Sequence, residues 1–324
     1  MLNGISIIMR KKTSAFVFSI RNHTVFKAIY SKIFCKKSGF LETPEQQNAA
    51  AKYVFNYKYD CVHPKTFNEF LGWLKFNYSN DLWKRCADKL GMKEFLREIG
   101  FGDYLPKVLG VYQKTNEIDL LAFPDKFVLK TNHDSGSVFI CDKKKTNFSS
   151  IFLELDSSLK RNYSSNGEWV YKDIEPKIFA EEYIPPFDGD DSLVDYKLFI
   201  YNGRFKWGFS GQNRETDCRF CVFEDDFSIQ DVDYIYLRPR KDKMPRKPIH
   251  FDEMVRIAES IGRYFAFVRV DFYETKEGPR IGELTFFSQS GLGPFTSRKY
   301  DLKYGDYFST IPFEHSFCDA TKTR

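Results

Sequence analysis

Polar and apolar residues alternate most strictly over 264–295, YFAFVRVDFYETKEGPRIGELTFFSQSGLGPF. Val268, Val270 and Phe272 interleave with Arg269, Asp271 and Tyr273, which is the period of a strand with one apolar and one polar face. A turn-rich segment, 274–279, follows. The next run, 280–287, sets Glu283 and Thr285 on one face against Gly282, Leu284 and Phe286 on the other. Paired as a hairpin, the two strands bring Asp271 and Glu283 side by side. Adjacent carboxylates repel and call for a cation between them. Hard oxygen ligands suit Mg²⁺, whose shell phosphate oxygens can complete. Arg269 shares that face and can reach a phosphate oxygen. A half-buried hairpin with solvated charges produces the same pattern.

The same spacing argument sorts the rest of the chain. Residues 42–60 read as a helix with Pro44 in its first turn. Over 64–79, Phe67, Phe70, Leu71, Leu74 and Tyr78 recur at helical intervals. Residues 88–99 form a helix opened by Asp88 and ended by Gly100 and Gly102. Lys89 and Lys93 stand four apart on it, a mild cost unless an anion sits between them; two solvated lysines are the plainer reading. Strands are expected at 106–113, 126–130, 138–141, 177–184, 195–201 and 204–211. Asn202-Gly203 marks a tight hairpin between the last two. The loop TNHDSGS, 131–137, has the composition of an anion-binding nest with Lys130 at its root, or of an ordinary turn. Pro185-Pro186 stops the strand that carries Glu181-Glu182, and 188–191 is an acidic turn. Residues 149–162 and 251–263 suit helices. The segment 214–250 reads as irregular, with Arg238, Arg240, Lys241, Lys243, Arg246 and Lys247 either meeting an anion or solvated. After 300 no motif stands out.

Composition adds two points. With 324 residues, 42% hydrophobic and 18% aromatic, the chain can build a large core and is not disordered. Its net charge of +5 is uneven. Arg10, Lys11, Lys12, Arg21, Lys27, Lys32, Lys36 and Lys37 fall within 1–41, which holds no acid, so the remainder has 41 basic against 44 acidic residues. Val25, Phe26, Ile29 and Ile33 recur among those lysines at helical spacing. Such an arm can rest on anionic lipid or an acidic partner, or dock on its own domain. No apolar run approaches the ~20 residues that span a bilayer. The odd cysteine count, seven, and the lack of a signal peptide fit reduced thiols in a cytoplasm. Cys218 and Cys221 form one C-x-x-C without a second pair to make a zinc site.

In order along the chain, ADKLGMKEFL, FVLKTNHDSGSVFI, FAEEYI, DYKLFIYNG, FVRVDFY and GELTFF resemble the ATP-grasp superfamily. More narrowly they resemble the TupA-like ATP-grasp proteins of bacterial polysaccharide and teichuronopeptide gene clusters. The resemblance runs over residues 64–310 or so. It implies an α+β ATP-grasp fold in which two α+β subdomains clamp ATP, here with a shortened, helical N-terminal region. The implied divisions are a basic arm at 1–41, a mostly helical region at 42–110, a flap subdomain at 111–185, a larger subdomain with the Mg²⁺ site at 186–310, and a tail. Lys93 and Lys130 match the lysines that contact ATP phosphates. Glu181, Glu182 and Ile184 match the hinge whose backbone and carboxylate hold adenine. Asp195 matches a ribose-binding acid, Lys197 a further phosphate contact, and Arg269 the basic residue near the transferred phosphate. Asp271 and Glu283 match the magnesium acids. Members commonly carry Glu-x-Asn at the second acid, whereas this chain has Glu283-Leu284-Thr285. Thr285 offers a neutral hydroxyl, a poorer ligand than an amide oxygen.

The resemblance implies an ATP- and Mg²⁺-dependent carboxylate–amine ligase. Its acceptor would be a uronic acid of a surface polysaccharide or a lipid-linked sugar, and its donor an amino acid or amine. Arg269 and Lys130 would be catalytic, and no nucleic-acid partner is expected. The place of action would be the cytoplasm, or the inner face of its membrane through residues 1–41. A kinase on the same scaffold is the rival. A glycosyltransferase or a non-catalytic nucleotide-binding protein comes next.

Overall fold

A computed structural model describes residues 41–161, 167–187, 192–213 and 217–312. Residues 1–40 of the basic arm, the acidic turn at 188–191 and the end of the tail lie outside the described residues. Among the described residues four helices come first: α1 (Pro44–Ala51), α2 (Phe67–Asn77), α3 (Asp81–Ala87) and α4 (Lys89–Glu98). Each has a side-chain cap at its start. Thr43 and Thr66 build capping boxes with Gln46 and Glu69, Asn80 accepts from Leu82 N and Trp83 N, and Asp88 accepts from Leu90 N. The helix expected over 42–60 ends at Ala51. Beyond it, Val54, Phe55 and Tyr59 turn into a small core of their own with Leu41 and Leu292. Burying these closely spaced residues outweighs continuing one helical stripe.

Two antiparallel sheets follow. The first has the order β1-β4-β2-β3 and contains β1 (Val108–Tyr112), β2 (Lys126–Thr131), β3 (Val138–Asp142) and β4 (Ile178–Glu182), with α5 (Phe148–Leu159) crossing behind it. The second has the order β7-β6-β5-β8-β9. Its strands are β5 (Asp195–Tyr201), β6 (Arg204–Gln212), β7 (Arg219–Glu224), β8 (Phe267–Thr275) and β9 (Gly278–Thr285). Asn202 and Gly203 both take positive φ in the β5–β6 turn, as a primed hairpin turn requires. Among the described residues two further helices follow, α6 (Phe251–Gly262) and α7 (Arg298–Asp306). The segment 214–250 therefore holds a strand, β7, where an irregular loop is expected. Phe220, Cys221, Val222 and Phe223 are buried within it as the sheet's edge. The stretch after 300 forms α7, whose Tyr304 stacks on Trp207 with ring centroids 4.1 Å apart.

Alternation sorts each sheet into two faces. In the first, Phe127, Leu129, Cys141, Ile178 and Ala180 form one core with Leu155 of α5. The opposite face carries Val128, Lys130, Ile140 and Glu181, because Val128 pairs with both Ile140 and Glu181. In the second sheet, Leu198, Ile200, Val268, Val270 and Phe272 share a core with Phe251, Met254, Ile257 and Ile261 of α6. Its other face is divided along the strands. Phe199, Tyr201, Trp207 and Phe267 lie under Phe67 of α2, Tyr304 of α7 and Phe308. Farther along, the same face holds Asp195, Lys197, Arg269, Asp271, Glu283 and Thr285, matched by register across β5, β8 and β9. Aromatic packing at one end thus holds a charged surface at the other.

Asp301 ties α7 to this packing. Its Oδ2 accepts from Tyr57 Oη at 2.5 Å, and its Oδ1 accepts from Asn68 N and Nδ2. Burial pushes its carboxyl from 3.8 up to about 6, against the lowering effect of these hydrogen bonds. A raised carboxyl pKa adds stability that is full below pH 3.8 and is lost as pH rises through about 6. Asp301→Asn is expected to flatten that part of the profile, measured as urea midpoints between pH 4 and pH 7. An unchanged slope would contradict it.

Candidate active site

Lys93 reaches the first sheet from α4 and Lys130 from β2, and both meet one carboxylate. Lys93 Nζ lies 2.6 Å from Glu181 Oε1, and Lys130 Nζ lies 2.5 Å from Glu181 Oε2. All three residues are buried. Burial alone would push Glu181 up; Lys130 and Lys93 overcome it and hold the carboxyl below its ordinary value. Burial lowers Lys93 in turn, with Glu181 opposing. Glu181 therefore aims its side chain at the two lysines. Glu182 and Ile184 go elsewhere: with Tyr183, Pro186, Lys276 and Arg280 they line a cavity of ≈ 320 Å³ between the hinge and the β8–β9 turn.

The second cluster stands on β5, β8 and β9. Arg269 forks onto Asp271, Nε to Oδ1 at 2.7 Å and Nη2 to Oδ2 at 2.8 Å. Lys197 Nζ donates to Asp271 Oδ2 and lies 2.7 Å from Asp195 Oδ2. Arg269 Nη2 also donates to Thr285 Oγ1 at 2.9 Å, and Nη1 to Ser288 Oγ at 3.1 Å. Burial works against the guanidinium's charge, but Asp271 beside it raises its pKa overall. Glu283 is the direct cross-strand partner of Asp271. Four of the five guanidinium N–H groups are thus engaged by described residues, leaving one on Nη1. By the same count Asp271, accepting from three donors, keeps one lone-pair direction.

This donor set fits Mg²⁺. Among the described residues no group of three or more His, Cys, Asp and Glu side chains is placed to hold a metal. Two adjacent carboxylates are what Mg²⁺ ordinarily takes from a protein when phosphates and water supply its remaining ligands. Thr285 accepts from Arg269, so its hydroxyl is already committed in part.

The loop 131–137 is braced by its own side chains. Asp134 is buried, accepting from the Thr131 hydroxyl and from Ser137 Oγ at 2.5 Å, while Lys89 Nζ donates to its carbonyl. Lys89 and Lys93 are accordingly two engaged lysines rather than two solvated ones. Within the basic run at 238–247, Arg238 pairs with Asp231, Arg246 with Glu274 at 2.6 Å, and Lys247 with Asp252 at 3.1 Å. Arg240, Lys241 and Lys243 of the same run are exposed. Two contributors escape sequence reading. Val138 and Ile140 are about half exposed on the same face as Lys130 and Glu181, giving the charged wall an apolar margin. Ser288, in the 3₁₀ turn Ser288–Gly291 after β9, holds Arg269 from behind. The alternation in β3 was the available sign of the first, whereas the SQSG turn carried none for the second.

Two antiparallel sheets bearing buried lysines and paired carboxylates on open faces define an ATP-grasp fold. A family model described as TupA-like ATPgrasp matches residues 69–309, most of the chain. The chain belongs to the TupA-like ATP-grasp family, enzymes that use ATP. Among solved structures, the D-alanine–D-alanine ligase of Bacillus anthracis complexed with ATP is 18% identical, with a TM-score of 0.39 over 75% of this chain and 70% of that one. The Helicobacter pylori D-alanine–D-alanine ligase is 15% identical, with a TM-score of 0.40 over 76% and 68%. A Chryseobacterium gregarium RiPP-associated ATP-grasp ligase, in complex with ADP and a leader and core peptide, is 12% identical, with a TM-score of 0.39 over 75% and 66%. No curated protein matches the sequence.

Proposed function

We propose that this protein is an ATP- and Mg²⁺-dependent carboxylate–amine ligase, joining an amino acid or amine to a uronic-acid carboxylate of a surface polysaccharide or its precursor. One observation carries the reading: the cross-strand pair Asp271 and Glu283, with Arg269 and Lys197 buried against it. Moving a γ-phosphoryl group is chiefly a matter of positioning and charge neutralisation. Lys93 and Lys130 would hold the phosphates of ATP, exchanging part of their pairing with Glu181 for phosphate oxygens. Glu182 and Ile184 would face adenine in the hinge cavity, and Asp195 the ribose. Asp271 and Glu283, with Thr285 at their edge, would hold Mg²⁺, which when bound neutralises phosphate charge and orients the transferred group. The remaining N–H of Arg269 would donate to the acceptor oxygen as the carboxylate is phosphorylated and then attacked by the amine. No protein nucleophile is needed for that sequence.

The nature of the acceptor rests on the resemblance to polysaccharide-cluster proteins. The test is which substrates ATP consumption requires. A ligase releases ADP and phosphate only when both carboxylate and amine are present. A stable phosphorylated acceptor formed without amine would replace this reading with a kinase.

A further inference from the structure

The turn Ser288–Gly291 is built in an unfavourable way. Gln289 and Ser290 are consecutive non-glycine residues in the left-handed region, with φ of 50° and 55°. Strain of that kind persists only where surrounding contacts over-determine it. Here the contacts come from the N-terminal helices. Gln47 Nε2 donates to the Ser290 carbonyl at 2.8 Å, and Lys75 Nζ donates to Ser290 Oγ at 2.9 Å and to Gln47 Oε1 at 3.1 Å. Tyr59 Oη lies 3.0 Å from the Asn68 carbonyl and 3.3 Å from the Gly291 carbonyl. Asn68 exchanges two hydrogen bonds with Gly293, at 2.8 and 2.9 Å. Glu168, also buried, hydrogen-bonds Ser290 and faces both Lys75 and Glu283.

The backbones meet directly as well. A Cβ on Gly291, itself at φ +72°, would stand 2.9 Å from Asn68 O and from Gly72 N. A Cβ on Gly72 would stand 2.8 Å from Cys61 Cβ and strike the Tyr59 hydroxyl. A glycine inside a helix costs roughly 1 kcal/mol against alanine, so its place in the middle of α2 calls for a packing reason, and this contact supplies one.

We propose that Gln47, Tyr59 and Lys75 are positioning residues that clamp the strained Ser288–Gly291 turn and, through Ser288, fix the guanidinium of Arg269. Gln47 and Tyr59 precede the segment matched to the family, so α1 and the loop after it serve the active site. The role assigned to Arg269 rests on the function proposed above; the state of the turn does not.

The test uses the full chain with Gln47→Leu, Lys75→Met and Ser288→Ala. Hydrogen–deuterium exchange over 286–293 in Gln47→Leu and Lys75→Met is expected to speed up by at least about tenfold, with strand 178–182 unchanged. The ATP dissociation constant should stay within about twofold while kcat falls about tenfold to a hundredfold, the scale set by a small misplacement of a catalytic group. Lys75→Met combined with Ser288→Ala should lose little more kcat than the worse single variant, because both act through one turn. Unchanged exchange at 286–293 would overturn the clamp whatever the activity. Faster exchange with an unchanged kcat would overturn the positioning role and leave only structural support. A wild-type protein that binds no ATP would remove the proposed function and the link to Arg269 with it, while the exchange result still reports on the clamp. Should Lys75→Met fail to fold, Gln47→Leu carries the test alone, since it leaves the charges of Lys75 and Glu168 in place.

Discussion

Arg269→Lys is expected to lower turnover by about a hundredfold to a thousandfold while leaving ATP binding nearly intact. The charge survives the change, but the fork does not. Arg269 reaches Asp271 by two N–H groups while serving Thr285 and Ser288 with two others. An ammonium group at the end of a flexible stem cannot span those acceptors and also present a fixed donor to the reacting carboxylate. Lys93 and Lys130 lie outside this arrangement, so the phosphate contacts proposed for them would be kept. The check is kcat with saturating substrates beside an ATP dissociation constant measured by titration. A kcat within a few-fold of wild type would show that the fork is structural.

Glu181→Leu should destabilise the protein by about 3–5 kcal/mol, because it leaves two buried ammonium groups without their counter-charge. Lys93 and Lys130 both pair with this one carboxylate, and none of the three is open to solvent enough to be rescued by water. The loss should shrink in Mg²⁺-ATP, whose phosphates would supply negative charge to the same lysines under the proposed function. Since the lysines hold Glu181 below its ordinary 4.5, the wild-type stabilisation is present above that pH and fades as pH falls through the lowered value. Denaturant unfolding with and without nucleotide, for wild type and variant, measures both effects. A variant as stable as wild type without nucleotide would mean that the lysines are solvated or discharged. An equal loss with and without nucleotide would mean that phosphate does not bind there.

The β8–β9 hairpin was legible because alternation is a local signal, and it places Asp271 against Glu283 as expected. The same held for the capped helices α2 and α4 and for the Asn202-Gly203 turn. Lys93 and Glu181 are 88 positions apart on a helix and a strand, and no spacing rule joins them; the likeness to a known motif order assigned Lys93 to phosphate and Glu181 to adenine and did not foresee their ion pair. The strand β7 escaped because its apolar run, 220–223, is short and sits in a charge-rich segment, and the helix α7 because its apolar residues are interleaved with charges, among them Asp301, which bonds Tyr57 and Asn68 rather than water. The strained Ser288–Gly291 turn was illegible in itself, since its cause lies in side chains more than 200 positions earlier. Gly72, inside an otherwise good helix, was the one local sign of close packing there, against Tyr59 and Cys61.

The central claim is that the cleft built around Asp271 and Glu283 couples ATP to bond formation between a carboxylate and an amine. The most direct measurement is ADP and phosphate release by the purified protein with Mg²⁺. It is made with wild type and Asp271→Asn, with and without a panel of amino acids and a glucuronate- or galacturonate-containing acceptor. Release that needs both amine and acceptor, and that disappears in the variant, is the predicted result. Release indifferent to the amine, or equal in wild type and Asp271→Asn, would contradict it.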